Sequence, residues 1–120
     1  EGDKKKSSSG YIFFTLIRGP EYHALQVANA VRVARFLGAT LAIPDIRGTN
    51  STNARPFGDV YDVDNFIASL EGVVQVDKTP PPLPRMSLGI PQTLTGDFIA
   101  SEIKPAFENN HNALKIFTQI

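Results

Sequence analysis

The sequence predicts an α/β domain with a mainly parallel sheet. Apolar runs of β-forming residues alternate with segments of helical period. The first run, "YIFFTLI", does not alternate apolar with polar, as expected of a strand covered on both faces. The joints between runs are short and carry Gly or Pro.

In chain order, residues 1–10, "EGDKKKSSSG", have no face to bury and read as a flexible linker. Residues 11–120 read as one domain. Tyr11 to Ile17 is the first strand, ended by Gly19-Pro20. From Glu21 to Leu37 the period becomes helical, with Val27, Ala30, Val31, Ala34 and Leu37 on one side and Gln26, Asn29, Arg32 and Arg35 opposite. Pro20 suits the first turn, Glu21 complements the helix dipole and Gly38 can close the end. Thr40 to Ile43 is a second strand, stopped by Pro44. This strand–helix–strand unit predicts a right-handed crossover.

Residues 45–59 are polar, contain Gly and Pro, and read as a long loop. Val63, Phe66, Ile67 and Leu70 share the face of a short helix ended by Gly72, and Val73 to Val76 is a third strand. Residues 77–92 hold five prolines and predict an extended crossing or strap. A further helix starts near Thr95 and buries Phe98, Ile99, Ile103 and Phe107, with Pro105 expected to kink or shorten it. Ala113 to Ile120 is a fourth strand.

The 120 residues suit one domain. Twelve basic side chains balance twelve acidic ones, so charge gives no reason to expect nucleic acid as a partner. Cysteine is absent, which excludes disulfides and thiolate metal sites. No apolar run approaches the ~20 residues of a membrane span. The chain does not begin with Met and reads as an excised piece of a longer one. Asn50-Ser51-Thr52 fits the acceptor pattern for N-glycosylation.

Ligands of open α/β sheets bind beyond the carboxyl ends of the strands. Three loops qualify: Arg18 to His23, Asp45 to Asp59, and Asp77 to Pro84. The first lacks the glycines of a dinucleotide loop, Pro20 removes a donor, and no Gly-Lys-Ser/Thr follows, so a tight phosphate cradle is not expected. Side chains take over as candidates. Arg18 can pair an anion, Gly19 lets the chain turn, and Pro20 sets its exit into the helix. Glu21 is a candidate general base, though better read as a first-turn carboxylate. His23 is a candidate proton carrier, though such a position is more often a solvated or capping residue. Tyr22 either joins the site or packs under the sheet edge. Asp45 and Arg47 follow the second strand, as a local ion pair or at the mouth of a cleft. Asp59, Asp62 and Asp64 lack the pattern of a calcium loop, and Asp62 or Asp64 is better read as a helix cap. His111 has no partner at metal-ligand spacing. No metal site is expected.

"GPEYHALQVANAVRVARFLGATLAIPDIRG" followed by "FGDVYDVDNFIASLEGVVQV" resembles the amino-terminal half of plant GDP-fucose protein O-fucosyltransferase-like proteins, above all the mannan-synthesis-related and embryo-sac-development members. The resemblance covers most of residues 11–78 and rests on three blocks in the same order. It implies a glycosyltransferase of the GT-B type, in which this chain is the first of two Rossmann-like three-layer domains and a carboxyl-terminal domain completes the cleft. It implies a GDP-sugar donor substrate, no separate cofactor, and a glycan or protein acceptor. It also implies the Golgi lumen, on a single-pass type II membrane protein. Many members carry Gly-Gly-x-Asn-Gln-x-Arg after the first strand. Setting Asn29-Ala30-Val31 on the matching "NAV" puts Gly19 on the second Gly, Glu21 on the Asn, Tyr22 on the Gln and Ala24 on the Arg. The family's donor contacts therefore do not transfer. Arg18, Gly19, Pro20, Glu21, Tyr22, His23, Asp45 and Arg47 remain as substrate-binding candidates, with Glu21 and His23 as catalytic ones.

Overall fold

The computed structural model describes residues 9–17, 20–46, 55–59, 61–79, 82, 84 and 86–118. Five lines of parallel strand form the sheet. Strand β1 (Tyr11–Leu16) lies at its centre. On one side it pairs with β2 (Thr40–Ala42) and, further along, with β3 (Asp45–Ile46). Beyond β2 lies β5 (Val76–Asp77), and β4 (Arg55–Pro56) runs antiparallel to β3. On its other side β1 pairs with β7 (Ala113–Thr118), which pairs with β6 (Ser87–Ile90).

Strands β2 and β3 are one line with an interruption. Tyr11 pairs Thr40 and Thr15 pairs Asp45, so four steps on β1 match five on its partner. The extra residue falls at Ile43-Pro44, where the proline has no N–H for a ladder and is itself buried. The sequence reading ends the second strand at Ile43 and takes 45–59 as loop. The chain instead resumes pairing after the proline and turns back through β4 and a 3₁₀ turn (Phe57–Asp59).

Helix α1 (Pro20–Leu37) connects β1 to β2 and α2 (Val63–Ser69) precedes β5. Asp62 caps α2, accepting from the Asn65 N–H at 3.0 Å. After β6, α3 (Gly96–Phe98), a π-helical turn (Ile99–Ile103) and α4 (Lys104–Asn109) follow without a break. Thr95 caps them by accepting from the Phe98 N–H at 3.1 Å. Pro105 neither ends this helix nor stands at a regular turn. It follows the π turn, in which the Lys104 N–H reaches the Ile99 carbonyl five residues back. The widened turn takes up the backbone mismatch that a proline imposes inside a helix. Gly38 and Gly72, at φ 69° and 85°, occupy the left-handed region after α1 and α2.

Ile12, Phe14 and Leu16 of β1 point to the same face as Leu114 and Ile116 of β7, Leu41 of β2 and Ile90 of β6. All join one cluster with Ala30, Val33 and Ala34 of α1 and with Ile99, Ile103 and Phe107. Val63, Phe66 and Leu70 of the α2 region pack against the same cluster. The described helices thus stand on one face, where the resemblance implied helices on both. The reason is topological. The steps β1 to β2, β2 to β5 and β6 to β7 all move the same way across the sheet. Crossovers of one hand then put every helix on the same side. Only β5 to β6 returns the other way, through the proline-rich residues that cannot be helix.

Two sequence readings change here. The third strand is Val76–Asp77 rather than Val73 to Val76. The stretch read as a strap contains a paired strand, β6, which forms in the proline-free gap between Pro84 and Pro91.

Candidate functional site

The carboxyl end of β1 lies at the centre of the sheet. From it the chain leaves toward β2, while β7 lies on the other side. In open parallel sheets the carboxyl edge is where ligands bind. Arg18 and Gly19 lie outside the described residues, as do Arg47 and Asn50. Both flanks of the first pair are described, and the preceding one, Ile17, is tightly held. The Ile17 N–H donates to Gln26 Oε1 at 2.8 Å, and Gln26 Nε2 donates to the Ile17 carbonyl at 2.9 Å. One amide side chain therefore satisfies both backbone groups of the last residue before Arg18. Pro20 opens α1.

Gln26 and Asn29 are buried, whereas the helical pattern sets them on the side away from the apolar face. Asn29 Nδ2 donates to the Gln92 carbonyl at 3.2 Å and to Thr118 Oγ1 at 3.4 Å, at the carboxyl end of β7. The buried side of α1 is His23, Gln26, Asn29, Ala30, Val33 and Ala34, while Val27 and Val31 are half-buried. The apolar stripe in the sequence sums two neighbours, the sheet and a second, emptier side.

That second side is a cleft of about 660 Å³ between α1 and the chain from Phe57 to Val73. Leu16, Val27, Val31, Phe57, Phe66 and Leu70 supply apolar walls, and His23, Tyr61, Arg32 and Arg35 supply the polar groups. Phe57 stacks on Tyr61 with centroids 5.1 Å apart and meets Phe66 at 4.8 Å. His23 is 6% exposed. Its Nδ1 is hydrogen-bonded to Tyr61 Oη at 2.8 Å, and its Nε2 is buried with no hydrogen-bond partner among the described residues. His23 is thus neither solvated nor a cap, because Tyr61 and the cleft enclose it.

The remaining candidates separate. Glu21 is exposed on the first turn and Tyr22 is half-buried. Asp45 is exposed, beside Thr15 of β1. Glu21 and Asp45 are therefore exposed at the rim, while His23 lies in the cleft between α1 and the segment from Phe57 to Val73. Asp64 meets Lys78 at 3.2 Å in an exposed pair, which contributes little. His111 is exposed in the left-handed turn before β7, at φ 58°. Away from the rim, the Tyr11 hydroxyl donates to Asp77 Oδ2 at 3.0 Å, and this bond to the carboxylate raises the phenol above its usual range.

Sequence reasoning missed Gln26, Asn29, Tyr61 and Phe57. One signal was available: His23, Gln26, Ala30, Val33 and Leu37 are themselves spaced as a helix face.

Among the described residues no helix is long and apolar enough to cross a membrane. No family model matches the chain. No solved structure matches it either. Named plant proteins do. The chain is 46% identical over 114 residues to Protein MANNAN SYNTHESIS-RELATED 1 of Arabidopsis thaliana, covering 92% of this chain and 27% of that protein. It is 37% identical over 106 residues to O-fucosyltransferase 15 of the same plant, covering 86% of this chain and 16% of the relative. It is 33% identical over 86 residues to rhamnogalacturonan I rhamnosyltransferase 1, also from Arabidopsis thaliana, covering 69% and 17%. The chain spans about a quarter, or less, of the length of these relatives. With the parallel sheet and the order of its sequence blocks, this identity makes the chain a homologue of the plant mannan-synthesis-related and O-fucosyltransferase proteins over most of its length.

Proposed function

We propose that this chain is the amino-terminal, Rossmann-like half of a GT-B glycosyltransferase. The full polypeptide transfers a sugar, fucose being the first candidate, from a GDP-sugar to a protein or polysaccharide acceptor. The acceptor oxygen attacks the anomeric carbon, the bond to GDP breaks, and a base takes the acceptor's proton. The observation that carries the reading is the identity to relatives named as O-fucosyltransferase and rhamnosyltransferase. The parallel sheet, with Pro20 to His23 just beyond the carboxyl end of its central strand, agrees with it.

In this reading Arg18 to His23, Asp45 and Arg47 form this half's wall of the cleft, and the other half supplies most donor contacts. Glu21, exposed at the rim, is the better placed base; His23, enclosed against Tyr61, is the second candidate. The full polypeptide sits in the Golgi lumen on a single-pass anchor outside this chain, with Asn50 glycosylated. Mannose and rhamnose are the alternative donor sugars.

GDP release by the full polypeptide from GDP-fucose, GDP-mannose and GDP-rhamnose, with plant glycan acceptors, tests the proposal. Acceptor-dependent release is expected, reduced at least tenfold in Glu21→Ala or His23→Ala (one order of magnitude per ~1.4 kcal/mol of lost barrier reduction). Equal turnover in both variants would remove the two residues from the site. A second reading is favoured by Glu21 standing where the family's Asn is expected: an accessory protein of mannan synthesis that keeps the fold without transfer. It predicts no heat of binding with any of the GDP-sugars.

A further inference from the structure

The cleft between α1 and the segment from Phe57 to Val73 shares only His23 with the residues proposed for sugar transfer, and its chemistry is unusual for a sugar site. Its walls are aliphatic and aromatic, and none of the residues lining it is acidic. Its polar groups are all positive or donors. Arg32 and Arg35 are exposed on α1, and neither has an ion-pair partner among the described residues. His23 Nε2 is the one buried side-chain polar atom without a hydrogen bond among the described residues.

The state of that nitrogen follows from its neighbour. A phenol is a better donor than acceptor, and Tyr61 Oη has no other hydrogen bond among the described residues. We assign the tautomer in which Tyr61 donates to Nδ1 and Nε2 carries a ring proton. A buried N–H without an acceptor costs about 1–3 kcal/mol, and a ligand oxygen would recover this. Nε2 is itself closed to solvent, so a ligand oxygen reaches it only when the His23 ring moves. His23 and Arg32 lie about two and a half helical turns apart, ~13 Å along the axis, with Val27 and Val31 between them.

The geometry points to a binding site in this cleft for an amphipathic anion. Its acidic group meets Arg32 and Arg35 at the open end, its apolar body lies on Val27, Val31, Phe66 and Leu70, and a neutral oxygen at the far end accepts from His23 Nε2. Complementary charge and the lone donor select this occupant over a plain hydrocarbon or a neutral sugar. The inference does not rest on the glycosyltransferase reading.

Three probes of similar length test it by calorimetry: 12-hydroxydodecanoate, dodecanoate and 1,12-dodecanediol. The hydroxy acid is less hydrophobic than dodecanoate, so simple partitioning favours dodecanoate. The site predicts the reverse, with the hydroxy acid bound about fivefold more tightly, the worth of one ordinary hydrogen bond. It also predicts the diol weaker than the hydroxy acid by about threefold, a gap that Arg32→Gln/Arg35→Gln closes. The ¹⁵N resonance of His23 Nε2 should shift with the hydroxy acid and not with dodecanoate. His23→Phe should restore the order set by hydrophobicity. Dodecanoate binding as tightly as the hydroxy acid to the unaltered protein would overturn the proposal. So would an unmoved His23 resonance, or no binding of any probe below ~1 mM. That last result is also the one expected if a helix of a longer form of the polypeptide fills the groove.

Discussion

Replacing Gln26 with Leu should cost the fold about 2 kcal/mol. Gln26 is 3% exposed and makes two hydrogen bonds to one residue, at 2.8 and 2.9 Å to the N–H and carbonyl of Ile17. Leu has a similar volume, so the substitution leaves little cavity. It leaves both Ile17 groups without partners in a half-buried place. At about 1.5 kcal/mol for each, the loss is about 3 kcal/mol, and the added apolar burial returns about 1 kcal/mol. Urea denaturation would read this as a lower midpoint with an unchanged slope. The melting temperature should fall by about 8 °C, at roughly 4 °C per kcal/mol. Amide exchange at Ile17 should quicken more than at Phe14, in the middle of the same strand. Gln26→Glu sharpens the test. Its carboxylate can accept from the Ile17 N–H but sets a second oxygen against the Ile17 carbonyl. Only the protonated acid can donate there, so burial should raise its pKa. The Glu variant should then approach the parent at low pH and lose stability as pH rises through the raised value. A Leu variant within ~0.5 kcal/mol of the parent, with Ile17 exchange unchanged, would refute the clamp.

Three further outcomes follow from the same structure. A Cβ at Gly10 would stand 2.0 Å from the Asn112 carbonyl oxygen and 2.8 Å from Phe107 Cζ. Asn112 cannot retreat, being tied to Ser9 O at 2.7 Å, so Gly10→Ala should lower stability by about 2 kcal/mol in urea. Asp62→Ala removes the α2 cap and should cost about 1 kcal/mol, with Asp62→Asn retaining most of it. The Tyr11 phenol ionises later in the fold than in the unfolded chain, so its contribution is complete below pH ~10 and disappears as pH rises through the raised folded value. Tyr11→Phe should therefore flatten the alkaline fall of stability, and an unchanged alkaline limb would show the bond to Asp77 to be immaterial.

The elements with strong local signals were legible. The non-alternating run of β1, the Pro20 start and Gly38 end of α1, the Asp62 cap and the buried series Ile99, Ile103, Phe107 all stand where the residues put them. Less legible was whatever depends on two distant segments meeting. Gln26 and Asn29 look solvent-facing by polarity, yet the ends of β1 and β7 offer them backbone and hydroxyl partners. Strand β6 hides behind prolines, because pairing with β7 rather than its own propensity makes it a strand. Pro105 signals a helix break, while a π turn offers another solution that local rules do not weigh. The candidate site was partly visible: the rim position of Glu21 and Asp45 could be read from the strand ends, but the enclosure of His23 required Tyr61, thirty-eight positions away.

The most direct test of the central claim is amide exchange of the full polypeptide with and without GDP-fucose and acceptor. Protection of backbone amides in residues 16–24 and 45–47 is predicted, with little change in α4 at Lys104–Asn109. Protection that spares both strand-end segments while the ligands are bound and turned over would contradict the account.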